Sequence, residues 1–290
     1  MVTGEALAGL RPAQAAVQVR LALEEAGCPD AAYDAGLLCR LATGRDPRLD
    51  ERPLTEAAAQ KLAGDTARRC QRYPLQYLAG SWEFLDLEFK VGPGVLIPRA
   101  DTETLCLAAA ETLKGKQEPR ALDLCSGSGC LALGLCRLVP GTRVLALEKS
   151  QEAWPYLNEN IRLAAGRGIR GVTPILGDVF SFQQQLEEES FDLILSNPPY
   201  LTGPEMEALQ PEVRCEPAMA LYGGQDGLDF YRHIAQSYRP LLKEGGTMAL
   251  EVGWQQAAQV ARLLAEAGYR EIRCARDLEG RDRAVLARRL

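Results

Sequence analysis

From Arg120 to the C-terminus, short apolar runs alternate with longer amphipathic stretches, and that alternation leaves few ways to fold. The pattern predicts strands at 120–125, 143–147, 172–176, 191–195 and 247–252, with helices between most of them. Strands joined through helices pair in parallel, and the helices then cover both faces of the sheet. The expected fold class is therefore α/β with a mostly parallel sheet. Ligands of such sheets bind beyond the carboxyl ends of the strands, so the residues that close each strand carry the functional reading.

The strand Phe191-Asp192-Leu193-Ile194-Leu195-Ser196 runs directly into Asn197-Pro198-Pro199-Tyr200. Neither proline can donate a backbone hydrogen bond to a sheet, so the strand must stop there. A residue before proline is held extended, which aims the Asn197 side chain. An amide, a proline carbonyl and an aromatic face fixed at one strand end can grip a planar amide or amino group.

The first strand of the series holds Asp123 and leads through Cys125-Ser126-Gly127-Ser128-Gly129 into a helix. Glycines admit a ligand that a side chain would exclude, and the helix N-terminus favours anionic groups. Glu148 closes the second strand, where a carboxylate can accept hydrogen bonds from both hydroxyls of a ribose. Gly127-x-Gly129-x-x-Ala132 with Glu148 also fits a dinucleotide fingerprint, so this loop alone leaves NAD open. Asp123 weighs against it, because a carboxylate there would meet a ligand's ammonium but repel a pyrophosphate. Asp178, after the third strand, can accept from an adenine amino group while Val179 packs on the ring. Three acids at successive strand ends outline a crevice for S-adenosylmethionine.

The chain ahead of about Arg72 is rich in Ala, Leu, Glu, Arg and Gln at helical spacing, with Val17-Leu21-Leu23 and Ala35-Leu38-Leu41 as apolar stripes. Breaks near Gly27, Gly44 and Pro53 divide it into four or five short helices, read as a small bundle. Beyond Tyr73-Pro74 the composition changes. Trp82 to Val91 alternates like a strand, Gly92-Pro93-Gly94 reads as a turn and Val95 to Ile97 as the return strand, a hairpin between two domains. Pro98-Arg99 then opens a helix with an acidic first turn.

Composition closes off other chemistries. A single histidine, His233, leaves no common zinc pattern and no Ser-His or Cys-His nucleophile, and a plain surface or packing role is expected for it. Nine cysteines, an odd number, argue for reduced thiols in a cytoplasmic setting. The N-terminus resembles neither a signal nor a transit peptide, and no apolar run has the length of a membrane span. A net charge of −6 speaks against a broad nucleic-acid footprint.

Taken together, these residues resemble the class I S-adenosylmethionine methyltransferases, and more narrowly the HemK/PrmC family. Beyond the two motifs above, Pro74 to Gly80, Gly94 to Glu103, Glu216 to Tyr231, Gly245 to Gly253 and Asp277 to Arg283 are similar to stretches of that family. The resemblance implies a Rossmann-like seven-stranded methyltransferase sheet at 98–290, a hairpin linker at 74–97 and a helical substrate-recognition domain at 1–73. It implies methyl transfer from S-adenosyl-L-methionine to the glutamine of the Gly-Gly-Gln motif of peptide chain release factors, by a cytoplasmic monomer with no stable nucleic acid, no membrane partner and no metal. Asn197 is the expected catalytic residue, with Pro198, Pro199 and Tyr200 placing the substrate. Asp123, Cys125, Ser126, Gly127, Ser128, Gly129, Glu148, Asp178, Val179 and Asn197 are the expected cofactor residues. Ser126, Glu148 and Val179 depart from the residues most usual in the family. The rival readings are an adenine amino-methyltransferase acting on DNA or RNA, a catalytically silent scaffold and, more weakly, an NAD-dependent dehydrogenase.

Overall fold

A computed structural model describes residues 2–290. They divide into two units: the chain up to Gly80 with Gln210–Cys215, and Ser81–Leu209 with Glu216–Leu290.

The first unit is helical: α1 (Gly4–Leu7), α2 (Pro12–Glu25), α3 (Ala31–Thr43), α4 (Glu56–Cys70) and α5 (Leu75–Ala79). Local chemistry sets the ends. Thr3 and Thr55 accept hydrogen bonds from first-turn amides of α1 and α4, Pro12 opens α2, and Gly44 closes α3 in the left-handed conformation. Leu7, Val19, Leu23, Leu38 and Leu62 form the interior. On α2 the buried stripe is Ala15-Val19-Leu23, so the stripe expected through Val17 and Leu21 is corrected: those two are 48% and 54% exposed. A step of two residues turns a helix by about 200°, which sends Val17 and Leu21 to the face opposite Val19 and Leu23. Arg69, buried in α4, bonds Asp34 of α3 at 2.7 Å and Glu212 at 2.8 Å, and Arg72 adds a second guanidinium to Glu212.

In the second unit, β1 (Ser81–Phe84) and β2 (Leu87–Lys90) form a hairpin. Its turn is Leu85-Asp86, both at positive φ, not Gly92 to Gly94 as the glycines suggested. The apolar positions shift parity, Trp82 and Phe84 even but Leu87 and Phe89 odd, and that phase change marks the real turn. There follow α6 (Ala100–Glu111), β3 (Arg120–Leu124), α7 (Cys130–Leu138), β4 (Arg143–Glu148), α8 (Trp154–Gly166), β5 (Val172–Leu176), β6 (Phe191–Ser196), α9 (Gly203–Glu207), α10 (Asp229–Ser237), β7 (Leu242–Glu251), α11 (Ala257–Glu266), β8 (Arg270–Arg276) and β9 (Asp282–Arg288).

Strands β3 to β9 form one seven-stranded sheet in the order β5-β4-β3-β6-β7-β9-β8, with β9 antiparallel to both neighbours and the other pairings parallel. The five strands expected from the sequence are β3 to β7. Residue pattern does not single out β8, an edge strand whose Arg270-Glu271-Ile272-Arg273-Cys274-Ala275-Arg276 is mostly exposed, or the mostly buried β9. The two faces of the sheet carry separate apolar clusters, one with Leu105 and Leu135 of α6 and α7, the other with Ile234 and Leu264 of α10 and α11. Connectivity reverses between β3 and β6, which opens a crevice at their carboxyl ends.

Candidate active site

A cavity of about 680 Å³ lies at those strand ends, within the range of small-molecule and cofactor sites. Its wall includes Cys125, Ser126, Gly127 and Ser128 after β3, Glu148 at the end of β4, Asp178 and Val179 after β5, and Asn197 and Pro199 after β6. Of the residues expected at the site, Asp123, Gly129, Pro198 and Tyr200 are not part of the wall.

The loop after β3 is held from several sides. Cys125 takes a positive φ of 62°, Ser126 N–H donates to Leu147 O at 2.9 Å, and Gly127 N–H donates to the Glu148 carboxylate at 2.7 Å. The two glycines do different work. A Cβ on Gly127 would meet only Val95 at 4.0 Å, so that position keeps the cavity open. A Cβ on Gly129 would lie 2.7 Å from Leu157 of α8, so that position lets two helices pack.

Asp123 is fully buried, and neither of its carboxylate oxygens has a partner among the described residues. The Ser126 hydroxyl beside it donates to the Asp123 main-chain carbonyl at 3.0 Å. Burial without a counter-charge pushes the carboxyl up to about 7. An unpaired buried acid behind a glycine loop is a receptor for a cationic group. Burial also raises Glu148, against which the N–H groups of Ser150 and Gly127 stabilise its ionised form. At Asp178 burial opposes ionisation, but Lys149 at 2.7 Å and the Phe180 N–H outweigh it and hold the carboxyl below its usual range. Val179 is fixed through its carbonyl, which accepts from Tyr238 Oη at 2.8 Å and His233 Nε2 at 3.0 Å. His233 is thereby a packing residue, ringed by Phe180 and Tyr238. The thiols in the wall are poor nucleophiles, since burial pushes Cys130 up to about 12 and Cys125 further.

Asn197 Nδ2 donates one N–H to Thr102 Oγ1 at 3.2 Å, which orients the amide with its Oδ1 turned away from Thr102. The chain beyond is clamped by the stretch that begins at Glu216. Tyr200 and Leu201 N–H both donate to Leu221 O, Gly223 N–H returns to Leu201 O at 2.8 Å, and Gln256 Nε2 donates to Tyr200 O at 3.0 Å. Tyr200 is half-buried, and burial, reinforced by the charge of Glu251, pushes its hydroxyl up to about 12.

The reading of strand ends missed two contributors. Ile97, Pro98, Arg99 and Thr102 bring the start of α6 into the wall, and Pro217, Ala218, Met219, Ala220, Tyr222 and Phe230 close another side. Glu216, 6% exposed, joins them by accepting from Ile97 N–H at 3.0 Å and from Arg99. Nothing local in the sequence marks these residues as neighbours of Asn197.

Residues 14–80 match the PrmC N-terminal domain family and residues 87–215 the methyltransferase small domain family. The release factor glutamine methyltransferase of Moorella thermoacetica is 40% identical over 255 residues, covering 88% of this chain and 88% of that protein. The enzyme of the same name from Geobacter sulfurreducens is 40% identical over 81% of this chain and 80% of its own length. A solved methyltransferase from Pyrococcus furiosus, 19% identical, matches with a TM-score of 0.52 over 77% of this chain and 98% of that one, and so shares the fold. With that identity sustained across both units, this chain belongs to the release factor glutamine methyltransferase family.

Proposed function

We propose that the protein transfers a methyl group from S-adenosyl-L-methionine to the side-chain amide nitrogen of the glutamine in the Gly-Gly-Gln motif of peptide chain release factors. The observation that carries this reading is Asn197. One N–H of its Nδ2 is held by Thr102, which orients Oδ1 as an acceptor for the cavity, the group that an amide N–H requires.

The cavity suits the methyl donor. Behind the wall, the unpartnered Asp123 carboxylate answers an amino acid ammonium reaching past the glycine loop; in the wall, Glu148 at the end of β4 answers a ribose diol, and Val179 with Phe180 the flat face of adenine. S-adenosylmethionine supplies a methyl on sulfonium, which is activated and departs from a neutral sulfur. The remaining demand falls on the protein. A glutamine nitrogen is a weak nucleophile because its lone pair is delocalised into the carbonyl. Asn197 Oδ1 and the Pro198 carbonyl, each accepting one N–H, turn that lone pair toward the methyl and stabilise the positive charge developing on nitrogen. Positioning of this kind is worth up to about 7–11 kcal/mol. The alkylated amide then sheds its extra proton to water without a strong base. Tyr200 supports the substrate side of the loop, and Pro199 in the wall shapes the approach.

In this reading the helical N-terminal domain, 1–73, reads the protein substrate; the apolar Val17 and Leu21 exposed on α2 support such a role. The enzyme acts as a cytoplasmic monomer, where release factors meet the ribosome. Among the described residues no helix is long and apolar enough to cross a membrane.

Mass spectrometry of a release factor incubated with the protein and S-adenosylmethionine tests this. One added methyl on the Gly-Gly-Gln glutamine is expected. Asn197→Ala should abolish the transfer while calorimetry still finds cofactor binding. Methylation by that variant at the wild-type rate, or transfer to DNA adenine instead, would sink the reading.

A further inference from the structure

The loop after β5 and one face of α10 are built against each other. Phe230, His233 and Ser237 are spaced three and four residues apart, so they share that face. The Phe230 ring lies 4.9 Å from the Phe180 ring, tilted at 59°, and the His233 ring lies 4.9 Å from Phe180 as well. His233 Nε2 meets the Val179 carbonyl at 3.0 Å, and Tyr238 Oη donates to the same oxygen at 2.8 Å. A carbonyl only accepts, so Nε2 carries a proton, and the neutral ring accepts from Ser237 Oγ at Nδ1, 3.4 Å away. Main chain and ring of the loop are thus both held from α10.

Three aromatic residues line the cavity: Phe180, Tyr222 and Phe230. Tyr222 belongs to the methyl-acceptor side, since it pairs with Leu201 just beyond the Asn197-Pro198-Pro199-Tyr200 corner. The other two pair with each other beside Asp178. Val179, 5% exposed, offers a flat ligand little area, whereas Phe180 is 41% exposed and Phe230 half-buried. Two rings tilted by 59° make a corner rather than a sheet. A planar base can lie with its face on one ring and its edge toward the other, the offset and edge-to-face contacts that aromatic groups favour. Asp178, at the open side of that corner, is the acceptor for an exocyclic amino group.

We infer that Phe230 is a binding residue for the adenine of the methyl donor, its ring completing with Phe180 the apolar corner that receives the base. The inference rests on the proposed cofactor and not on the proposed methyl acceptor. It moves part of the adenine site from the strand-end loops to a helix that follows the substrate-side segment. Phe230 closes the same stretch of chain that contributes Pro217, Met219 and Tyr222 to the cavity wall.

The test uses the full chain with two probes, S-adenosylhomocysteine and adenosine, titrated by calorimetry and NMR. Phe230→Ala should weaken both by the same factor, about tenfold. Phe230→Leu keeps the apolar bulk that packs on Phe180 but has no ring, and it should lose most of that factor while folding as wild type. Phe230→Tyr keeps the ring and should bind both probes as wild type does. Asp123→Asn should weaken S-adenosylhomocysteine and leave adenosine unchanged, because adenosine has no ammonium. In the wild-type complex the Phe230 ring protons, assigned by their absence in Phe230→Leu, should cross-relax with adenine H2 or H8. Wild-type affinity in Phe230→Leu, a loss confined to S-adenosylhomocysteine, or no cross-relaxation with the base would each overturn the inference. A protein that binds adenine through Phe230 yet methylates no release factor would refute the proposed acceptor and leave this inference standing. One that binds neither probe would overturn both.

Discussion

Asp123 carries the sharpest conflict between stability and function in the chain. Its carboxyl lies at about 7 when folded, well above the usual carboxylate value, because burial without a partner disfavours charge. A raised folded value means that the native state binds the proton more tightly than the unfolded chain. The resulting stability is complete below about pH 4 and is lost as pH rises to about 7, a difference on the order of 4 kcal/mol at most. Glu251, also raised to about 7, adds in the same direction. The cofactor-free protein should therefore melt at lower temperature near pH 8 than near pH 5. Asp123→Asn should remove much of that loss and abolish cofactor binding by calorimetry; an unchanged pH dependence of melting in the variant would count against an unpaired buried acid. At this scale Asn197, Asp123, Glu148 and Asp178 were legible in the sequence, since each closes or follows an apolar run. Glu251 carries the same signature, an acid closing the run Met248-Ala249-Leu250, and could have been found by it.

Among the elements, the loop after β6 works because other segments hold it. Gly223 is where they touch: a Cβ there would lie 2.5 Å from Tyr200 Cα and 2.6 Å from Pro199 O, both backbone positions that cannot swing aside. Gly223→Ala should push Pro199 and Tyr200 off their path and lower kcat about 10²-fold, while cofactor affinity, which the proposed function assigns to the loops after β3, β4 and β5, should be kept. Steady-state kinetics with calorimetry separates the two effects, and equal losses in both would contradict this division of labour. The hairpin is the counterexample in legibility. Gly92-Pro93-Gly94 is the stronger turn signal by composition, yet the chain turns at Leu85-Asp86. Burial decides there: Phe84, Leu87 and Phe89 all enter the core, and only a turn between Phe84 and Leu87 brings both parities to one face.

Across the whole molecule, each unit has its own interior, and the helical one includes a buried charge cluster. Arg69 joins α3, α4 and Gln210–Cys215 through Asp34 and Glu212. Removing one member of a buried pair strands the other, at about 3–5 kcal/mol. Arg69→Met should cost that much, with hydrogen exchange rising across Ala31–Thr43 and Glu56–Cys70 while the protection of β3 and β6 stays as in wild type. Loss of protection spread evenly over the sheet would show that the cluster is not local to the helical unit.

Fold class, strand ends and the Asn197-Pro198-Pro199-Tyr200 corner follow from local rules. Apolar period, proline sterics and glycine freedom act over a few residues, and those residues are adjacent in the chain. The pairing of Thr102 with Asn197 does not follow from such rules. Thr102 and Asn197 are 95 positions apart, and nothing in either neighbourhood refers to the other. Sheet order put β7 beside β6, and the tertiary fold laid the start of α6, with Thr102, against Asn197 at the end of β6.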